Sequence, residues 1–118
     1  MKNTTKSPGK MDLANRECKP GENGGRRLKA PMVKLLMKRL PGKWKLKGSR
    51  RLEKSFSFPD FKKALQFTNR IGDIAEKQGH HPDILLSYGE VRVRLATHSV
   101  TGLTENDFIL AARVNRLK

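Results

Sequence analysis

Residues 76–107 read EKQGHHPDILLSYGEVRVRLATHSVTGLTEND, and this stretch contains every histidine of the 118-residue chain. His80 and His81 are neighbours, His98 lies on a later segment, and Glu76 precedes the pair by four residues. Histidine is the side chain whose charge changes most readily near neutral pH. Three histidines beside a glutamate indicate an acid–base site, a metal site or a structural cluster.

Two strands are predicted downstream of the double histidine. Residues 84–88 form an apolar run, a tight turn follows at Gly89 and Glu90, and residues 91–98 alternate in polarity. Alternation with a period of two is typical of a strand that buries one face. The inward set is Val91, Val93, Leu95 and Thr97, and the outward set is Arg92, Arg94, Ala96 and His98. The pattern predicts an antiparallel hairpin.

A closing helix is predicted after this hairpin. Thr104 and Asp107 have the spacing of a capping box, in which a hydroxyl and an acid satisfy the first backbone N–H groups of a helix. Residues 108–117 continue as the helix, with Phe108, Ala111 and Ala112 on its inward face.

The longest predicted helix precedes the histidines, over residues 59–78. Gly79 ends it, because glycine adopts the left-handed conformation of a helix C-terminus at little cost. Glu76 lies beside the buried stripe in the last turn, where the helix dipole disfavours a negative charge. It is therefore either functional or an ordinary solvated carboxylate. The expected stripe is Phe61, Ala64, Leu65, Thr68, Ile71, Gly72 and Ala75, widened by Phe67 and Ile74.

The first half of the chain predicts one more helix and a second hairpin. The helix covers residues 31–40, because Pro31 suits a helix start and Pro41-Gly42 stops the periodic pattern. Strands are predicted at 44–46 and 51–58. The order helix, hairpin, helix, hairpin, helix predicts an α+β fold, a four-stranded antiparallel sheet with three helices packed on one face.

The charge of the chain is concentrated in its first half. Of the net +15, residues 1–54 carry 17 Lys or Arg against 4 Asp or Glu, and residues 55–118 carry 9 against 7. Residues 1–30 lack apolar periodicity and predict a flexible basic tail, followed by a single domain over residues 31–118. We expect the tail to aid solubility or to meet an acidic protein partner. Nucleic acid is not expected as a partner, because this charge lies largely outside the folded surface.

The compartment is inferred from the cysteine count and the apolar runs. Cys18 is the only cysteine, which excludes an internal disulfide and a Cys-x-x-Cys zinc site. The chain shows no apolar core of a secretory signal, and no run approaches the ~20 apolar residues of a membrane span. We expect a cytoplasmic protein without a membrane partner.

The histidine stretch resembles the signature of a known family. Glu76-x-x-x-His80-His81-Pro82, Tyr88, Thr97-His98 and Asp107 are similar to the motif of the pterin-4a-carbinolamine dehydratases, also known as dimerisation cofactors of a homeodomain transcription factor. The resemblance covers residues 40–117. Surrounding residues also agree: Trp44, Phe56, Phe58, Phe61, Ala75, Gly102, Leu103 and Thr104. The chain departs from some members at Gly79 and Ile84, where those members have an acid and an aromatic residue, and in its basic first half.

The resemblance implies a dehydratase that removes water from 4a-hydroxytetrahydrobiopterin to give the quinonoid dihydropterin, without a metal or a redox cofactor. It implies that His80 and His98 transfer protons, that His81 orients the ring, and that Glu76 holds a histidine or a pterin nitrogen. Which histidine is the acid and which the base stays open. The residues implied to bind substrate are Pro82, Thr97, Ser99 and Asp107.

Simpler roles remain for several of these residues. Asp107 can be only the partner of Thr104 in the capping box, and Tyr88 is expected to serve the core or strand pairing. A metal site is disfavoured because His80 and His81 are adjacent and no cysteine lies near them.

Two functions of different class follow from the resemblance. The first is the dehydratase, as a homodimer or homotetramer acting on a pterin. The second is a dehydratase-like binding protein without catalysis, a transcriptional co-activator or an enzyme assembly factor such as one for rubisco, that acts through its basic first half.

Overall fold

The computed structural model of the chain describes residues 12–19 and 26–118. Within these residues, three α-helices and four strands follow in the predicted order. They are α1 (Ala30–Arg39), β1 (Lys45–Lys47), β2 (Arg51–Ser57), α2 (Phe61–Gln78), β3 (Asp83–Ser87), β4 (Glu90–Leu95) and α3 (Glu105–Asn115). None of the described helices combines the length and the apolarity needed to cross a lipid bilayer.

The four strands form one antiparallel sheet in the order β1-β2-β4-β3. In the central pair, Leu52 of β2 lies opposite Leu95 of β4 and Phe56 opposite Val91. These side chains share one face of the sheet with Val93, and all five are buried. Burial of such a side chain contributes about 1.5–3 kcal/mol to stability. The predicted α+β fold, with the helices on one face, is confirmed.

Helix α2 ends just before His80 and His81, and its position therefore determines where the two histidines lie relative to the sheet. The Asp60 carboxylate accepts a hydrogen bond from Lys63 N at 2.8 Å and caps the helix, which therefore begins slightly later than predicted. Gly79 has a φ of 66°, and this left-handed residue ends α2 as predicted.

The buried face of α2 differs from the predicted stripe. Phe61 is 45% exposed and Leu65 is 39% exposed. Phe67 is buried instead, with its ring centroid 4.8 Å from that of Phe56 and 5.0 Å from that of Phe58. The aromatic side chains of Phe56 in β2 and of Phe58 just after it thus favour the side of the helix that holds Phe67. Periodicity alone placed the centre of the stripe too far toward Leu65.

The end of β4 also differs from the prediction. The strand stops at Leu95, and after Thr97 the chain turns into a short 3₁₀ helix at His98–Val100. Thr97 N donates to Gly102 O at 2.8 Å, which closes this turn. Thr97 still points inward and is buried, as the alternation predicts. Tyr88 lies in the turn between β3 and β4 and is 70% exposed, so the expectation of a core or strand-pairing role was wrong.

Residues 12–19, here called the N-terminal segment, lie within the predicted tail but pack against α3. Leu13 and Ala14 are buried in the hydrophobic core. Their apolar side chains are the physical reason that this part differs from a free tail. Residues 1–11 and 20–25 of the predicted tail lie outside the described residues, and the boundary at residue 30 stays a prediction.

The N-terminal segment also carries a charge contact. Gln78 donates to Glu17 Oε1 at 3.0 Å, and Arg113 Nη2 lies 3.1 Å from Glu17 Oε2. The hydrogen bond from Gln78, followed by the attraction of Arg113, lowers the pKa of the Glu17 carboxyl. This carboxylate therefore favours docking at neutral pH and loses its contribution as the pH falls through its folded pKa.

Docking of the N-terminal segment predicts that truncating Leu13 lowers the stability of the fold. We expect Leu13→Ala to lower the free energy of unfolding by about 2 kcal/mol or more, because a buried leucine leaves a cavity. Urea denaturation measures this change. The exposed Met32 provides the control, and Met32→Ala is expected to stay within about 0.5 kcal/mol of the parent. Equal, small effects of both substitutions would contradict the docking.

The same docking predicts that the thiol of Cys18 reacts slowly with alkylating reagents. Burial raises the pKa of the Cys18 thiol to about 12. The thiolate is the reactive form, so alkylation of the folded protein by iodoacetamide at pH 8 should be at least about a hundredfold slower than alkylation of a free thiol. Mass spectrometry measures the rate, and unfolding in urea should restore it. A folded protein that reacts as fast as the unfolded one would contradict this prediction.

Candidate active site

A cleft of about 460 Å³ brings the three histidines together. It lies where the link from α2 to β3 meets the chain that leaves β4. Its lining residues are Gly79, His80, His81, Ala96, Thr97, His98 and Ser99. Of the other predicted site residues, Asp107 contacts His80 and Glu76 contacts His81, and neither lines the cleft. Pro82 follows His81 in the link to β3 and does not line this cleft.

His80 is the buried histidine of the cleft. The left-handed Gly79 turns the chain at the end of α2, and His80 N bonds back to Ala75 O at 3.2 Å. The imidazole is only 6% exposed. Its Nε2 lies 2.6 Å from Oδ1 of Asp107, which is the third residue of α3. The short distance and the burial define a fixed imidazole–carboxylate pair.

Asp107 is held from its other side by two donors. Its Oδ2 accepts a hydrogen bond from Thr97 Oγ1 at 2.8 Å and from Thr104 N at 3.0 Å. The Thr97 and Thr104 hydroxyls lie 2.9 Å apart, which joins the three residues into one network. The capping box predicted from Thr104 and Asp107 is present. Its acid serves the helix end and the histidine at the same time.

His81 points away from His80 and is exposed. Its Nε2 lies 2.5 Å from Oε2 of Glu76, in the last turn of α2. Both side chains reach solvent. The contact gives Glu76 a partner at a helix position that disfavours an unpaired acid.

His98 occupies the opposite wall of the cleft. It begins the 3₁₀ helix after Thr97 and is exposed. In the part of the chain that the structure describes, no group of three or more His, Cys, Asp or Glu side chains converges as a metal site would require.

Two residues next to the site that bind the N-terminal segment were missed from the sequence. Asn106 is buried beside Asp107, and its Oδ1 accepts a hydrogen bond from Lys19 N at 2.8 Å. Gln78, two residues before His80, accepts a hydrogen bond from Cys18 N at 2.8 Å through Oε1. These partners are 60 to 87 residues apart in sequence. The only sequence signal was an apolar pair, Leu13 and Ala14, within a polar segment.

Known proteins with similar sequences agree on one family. The sequence model for pterin 4 alpha carbinolamine dehydratase matches residues 26–117. A predicted pterin-4-alpha-carbinolamine dehydratase of Alkaliphilus metalliredigens is 44% identical over 89% of this chain and 95% of the relative. A predicted enzyme of the same name from Rubrobacter xylanophilus is 43% identical over 90% and 98%.

Solved structures show the same fold. The transcriptional coactivator/pterin dehydratase of Brucella melitensis superposes with a TM-score of 0.72 at 35% identity, over 78% of this chain and 98% of that one. A pterin dehydratase-like protein described as a RuBisCO assembly factor in the alpha-carboxysome gives 0.56 at 26% identity, over 64% and 89%.

The resemblance inferred from the histidine stretch is confirmed by these matches. They cover the sheet, the helices and the cleft rather than one motif, since the family match extends from before α1 to the end of α3. The chain belongs to the pterin 4 alpha carbinolamine dehydratase family.

Proposed function

We propose that the chain is a hydro-lyase that removes water from a 4a-hydroxytetrahydropterin, such as 4a-hydroxytetrahydrobiopterin. The observation that carries this proposal is the cleft shared by His80, His81 and His98, in which His80 lies 2.6 Å from the buried Asp107. Membership of the family supports the same activity.

The reaction needs two proton transfers. The hydroxyl on C4a leaves as water when an acid protonates its oxygen. A base takes the proton from N5, and the electron pair of that N–H bond forms the C4a=N5 double bond of the quinonoid product. The elimination transfers no electron to another molecule, so the step requires no redox cofactor. Positioned acid–base groups typically contribute about 10²–10⁴-fold each.

His80 is suited to act as the base at N5. An ionised Asp107 can only accept hydrogen bonds, so its contact with His80 Nε2 leaves Nδ1 as the ring nitrogen that exchanges a proton. The carboxylate also stabilises the imidazolium that forms when Nδ1 takes the proton from N5. Thr97 and Thr104 then serve as positioning residues, because their contacts fix the orientation of Asp107.

His98 is suited to act as the acid at the C4a hydroxyl. It is exposed on the opposite wall of the cleft, where it can regain a proton from water after each turnover. His81 would orient the pterin ring while Glu76 holds its imidazole. Ser99 lines the same wall and would contact the substrate, and Pro82 would shape the backbone behind His81.

A binding function without catalysis is the second candidate, and it is favoured by a basic groove of about 800 Å³ on the first half of the chain. Burial lowers the pKa of Lys54, and the positive charges of Lys118 and Lys43 lower it further. An acidic protein surface would relieve that repulsion. The groove is lined by Gly42, Lys43, Lys45, Lys47, Glu53, Lys54, Ser55 and Arg92.

Oligomerisation and location complete the proposal. The exposed Phe61 and Leu65 on α2 support assembly of the chain into a homodimer or homotetramer, because burying them would remove apolar surface from water. We propose that this assembly acts in the cytoplasm.

The dehydratase proposal predicts the effect of removing His98, the proposed general acid. His98→Ala is expected to slow dehydration of 4a-hydroxytetrahydrobiopterin at least about tenfold, since one proton transfer is lost. Stopped-flow absorbance measures the rate, and circular dichroism checks the fold. Tyr88→Ala changes an exposed side chain outside the cleft and is the control. A folded wild type that gives only the spontaneous rate would instead favour the binding function.

The role of Asp107 predicts a separate kinetic pattern. Asp107→Asn should lower kcat at least about tenfold and leave KM within about twofold, because the carboxylate supports His80 from behind the cleft. Thr97→Val removes one donor to the same carboxylate and should lower kcat less. Because the side-chain oxygen of Asn can still accept from Thr104 N, and the N-cap residue Thr104 is unchanged, α3 should survive the first change. A rise of KM at constant kcat would contradict the positioning role.

A further inference from the structure

A second, smaller cleft adjoins the histidine cleft and has no part in the proton transfers. Its volume is about 260 Å³, and it shares Ala96, Thr97 and His98 with the histidine cleft. We call it the arginine cleft, because Arg50, Arg51 and Arg94 lie in its lining. The two clefts thus meet along the segment that leaves β4.

A fourth guanidinium group lies beside the arginine cleft. Gly102 is part of the lining, and a Cβ atom added to it would lie 2.7 Å from Arg27 Nε. A hydrogen bond of 2.8 Å from Leu28 N to Leu103 O holds this part of the chain against the domain. Arg27 therefore adds positive charge at the edge of the cleft.

Carboxylates balance only part of this charge. Glu53 Oε1 is shared, at 3.7 Å from Arg51 Nε and 3.2 Å from Arg94 Nε. The second contact lacks the geometry of a hydrogen bond, and the buried Arg94 Nε has no acceptor among the described residues. Among the described residues, Asp83 is the one acid in the lining itself.

Two arginines are left without a carboxylate partner among the described residues. Within residues 12–19 and 26–118, neither Arg27 nor Arg50 forms an ion pair. Four guanidinium groups thus face two carboxylates, which leaves an excess of positive charge beside His98. Guanidinium groups match the planar, two-oxygen geometry of carboxylates and phosphates.

We propose that the arginine cleft binds an anionic group on the side chain of the pterin. This proposal rests on the proposed function and extends its substrate class from 4a-hydroxytetrahydrobiopterin, whose side chain is neutral, to pterins with a carboxylate or a phosphate on the C6 substituent, which bind more tightly. C6 is bonded to N5, the atom that loses its proton. A substituent on C6 therefore starts next to the reacting atoms, and His98, the proposed acid, lines both the histidine cleft and the arginine cleft.

The test compares the binding of three stable pterins by isothermal titration calorimetry. 7,8-Dihydrobiopterin has a neutral side chain, 6-hydroxymethyl-7,8-dihydropterin monophosphate carries a phosphate, and 7,8-dihydrofolate carries carboxylates. We expect at least one anionic pterin to bind about tenfold or more tightly than the neutral one at low salt. This preference should shrink as sodium chloride is raised, because salt screens exposed charges.

Substitution of one arginine locates the preference. Arg50→Ala should reduce the ratio of anionic to neutral affinity to about threefold or less. Arg50 lies in the turn between β1 and β2, where a truncation leaves the core intact. Arg70→Ala removes an exposed guanidinium from α2, outside both clefts, and should leave the ratio unchanged.

The outcomes separate this proposal from the proposed function. A preference for the phosphate probe alone, or for dihydrofolate alone, identifies the anion. Equal affinities for all three probes would overturn the arginine cleft as an anion site and leave the dehydratase standing. Equal loss of the preference in Arg50→Ala and Arg70→Ala would also overturn the arginine cleft as an anion site. The preference would then come from the general positive charge of the protein. Failure of every pterin to bind, together with the spontaneous rate of dehydration, would overturn both proposals.

Discussion

The hydrogen bonds of the Asp107 carboxylate are the interaction on which the site depends. One oxygen lies against His80, and the other accepts from Thr97 and from the backbone of Thr104. A buried carboxylate without such partners would be costly, so the network also explains how an ionisable group is tolerated in the core. Through this one side chain, the end of α2, the exit from β4 and the start of α3 are held together.

Much of the fold could be predicted from local sequence signals, because they report local physics. The alternation of Val91, Val93 and Leu95 gave the buried face of β4, and Gly79 gave the end of α2. The capping box at Thr104 marked α3. The stripe of α2 was misplaced because Phe67 packs on the rings of Phe56 and Phe58. The periodicity of a helix does not show where neighbouring elements lie.

The candidate site could be predicted in its residues but less in its arrangement. The three histidines were visible as a cluster in the sequence, and the structure brings them into one cleft. The separate pairs, His80 with Asp107 and His81 with Glu76, depend on how the chain turns after Gly79. Each cleft histidine follows the end of a regular element, where backbone groups need new partners and side chains can converge.

The N-terminal segment is bound through its backbone as well as through the buried side chains of Leu13 and Ala14. Cys18 N, Lys19 N and Arg16 O are the atoms that Gln78, Asn106 and Arg113 contact. Such contacts recognise the path of a chain rather than the identity of its side chains. The domain therefore determines where the backbone of the segment lies, and the segment must supply apolar side chains at Leu13 and Ala14 to keep that position.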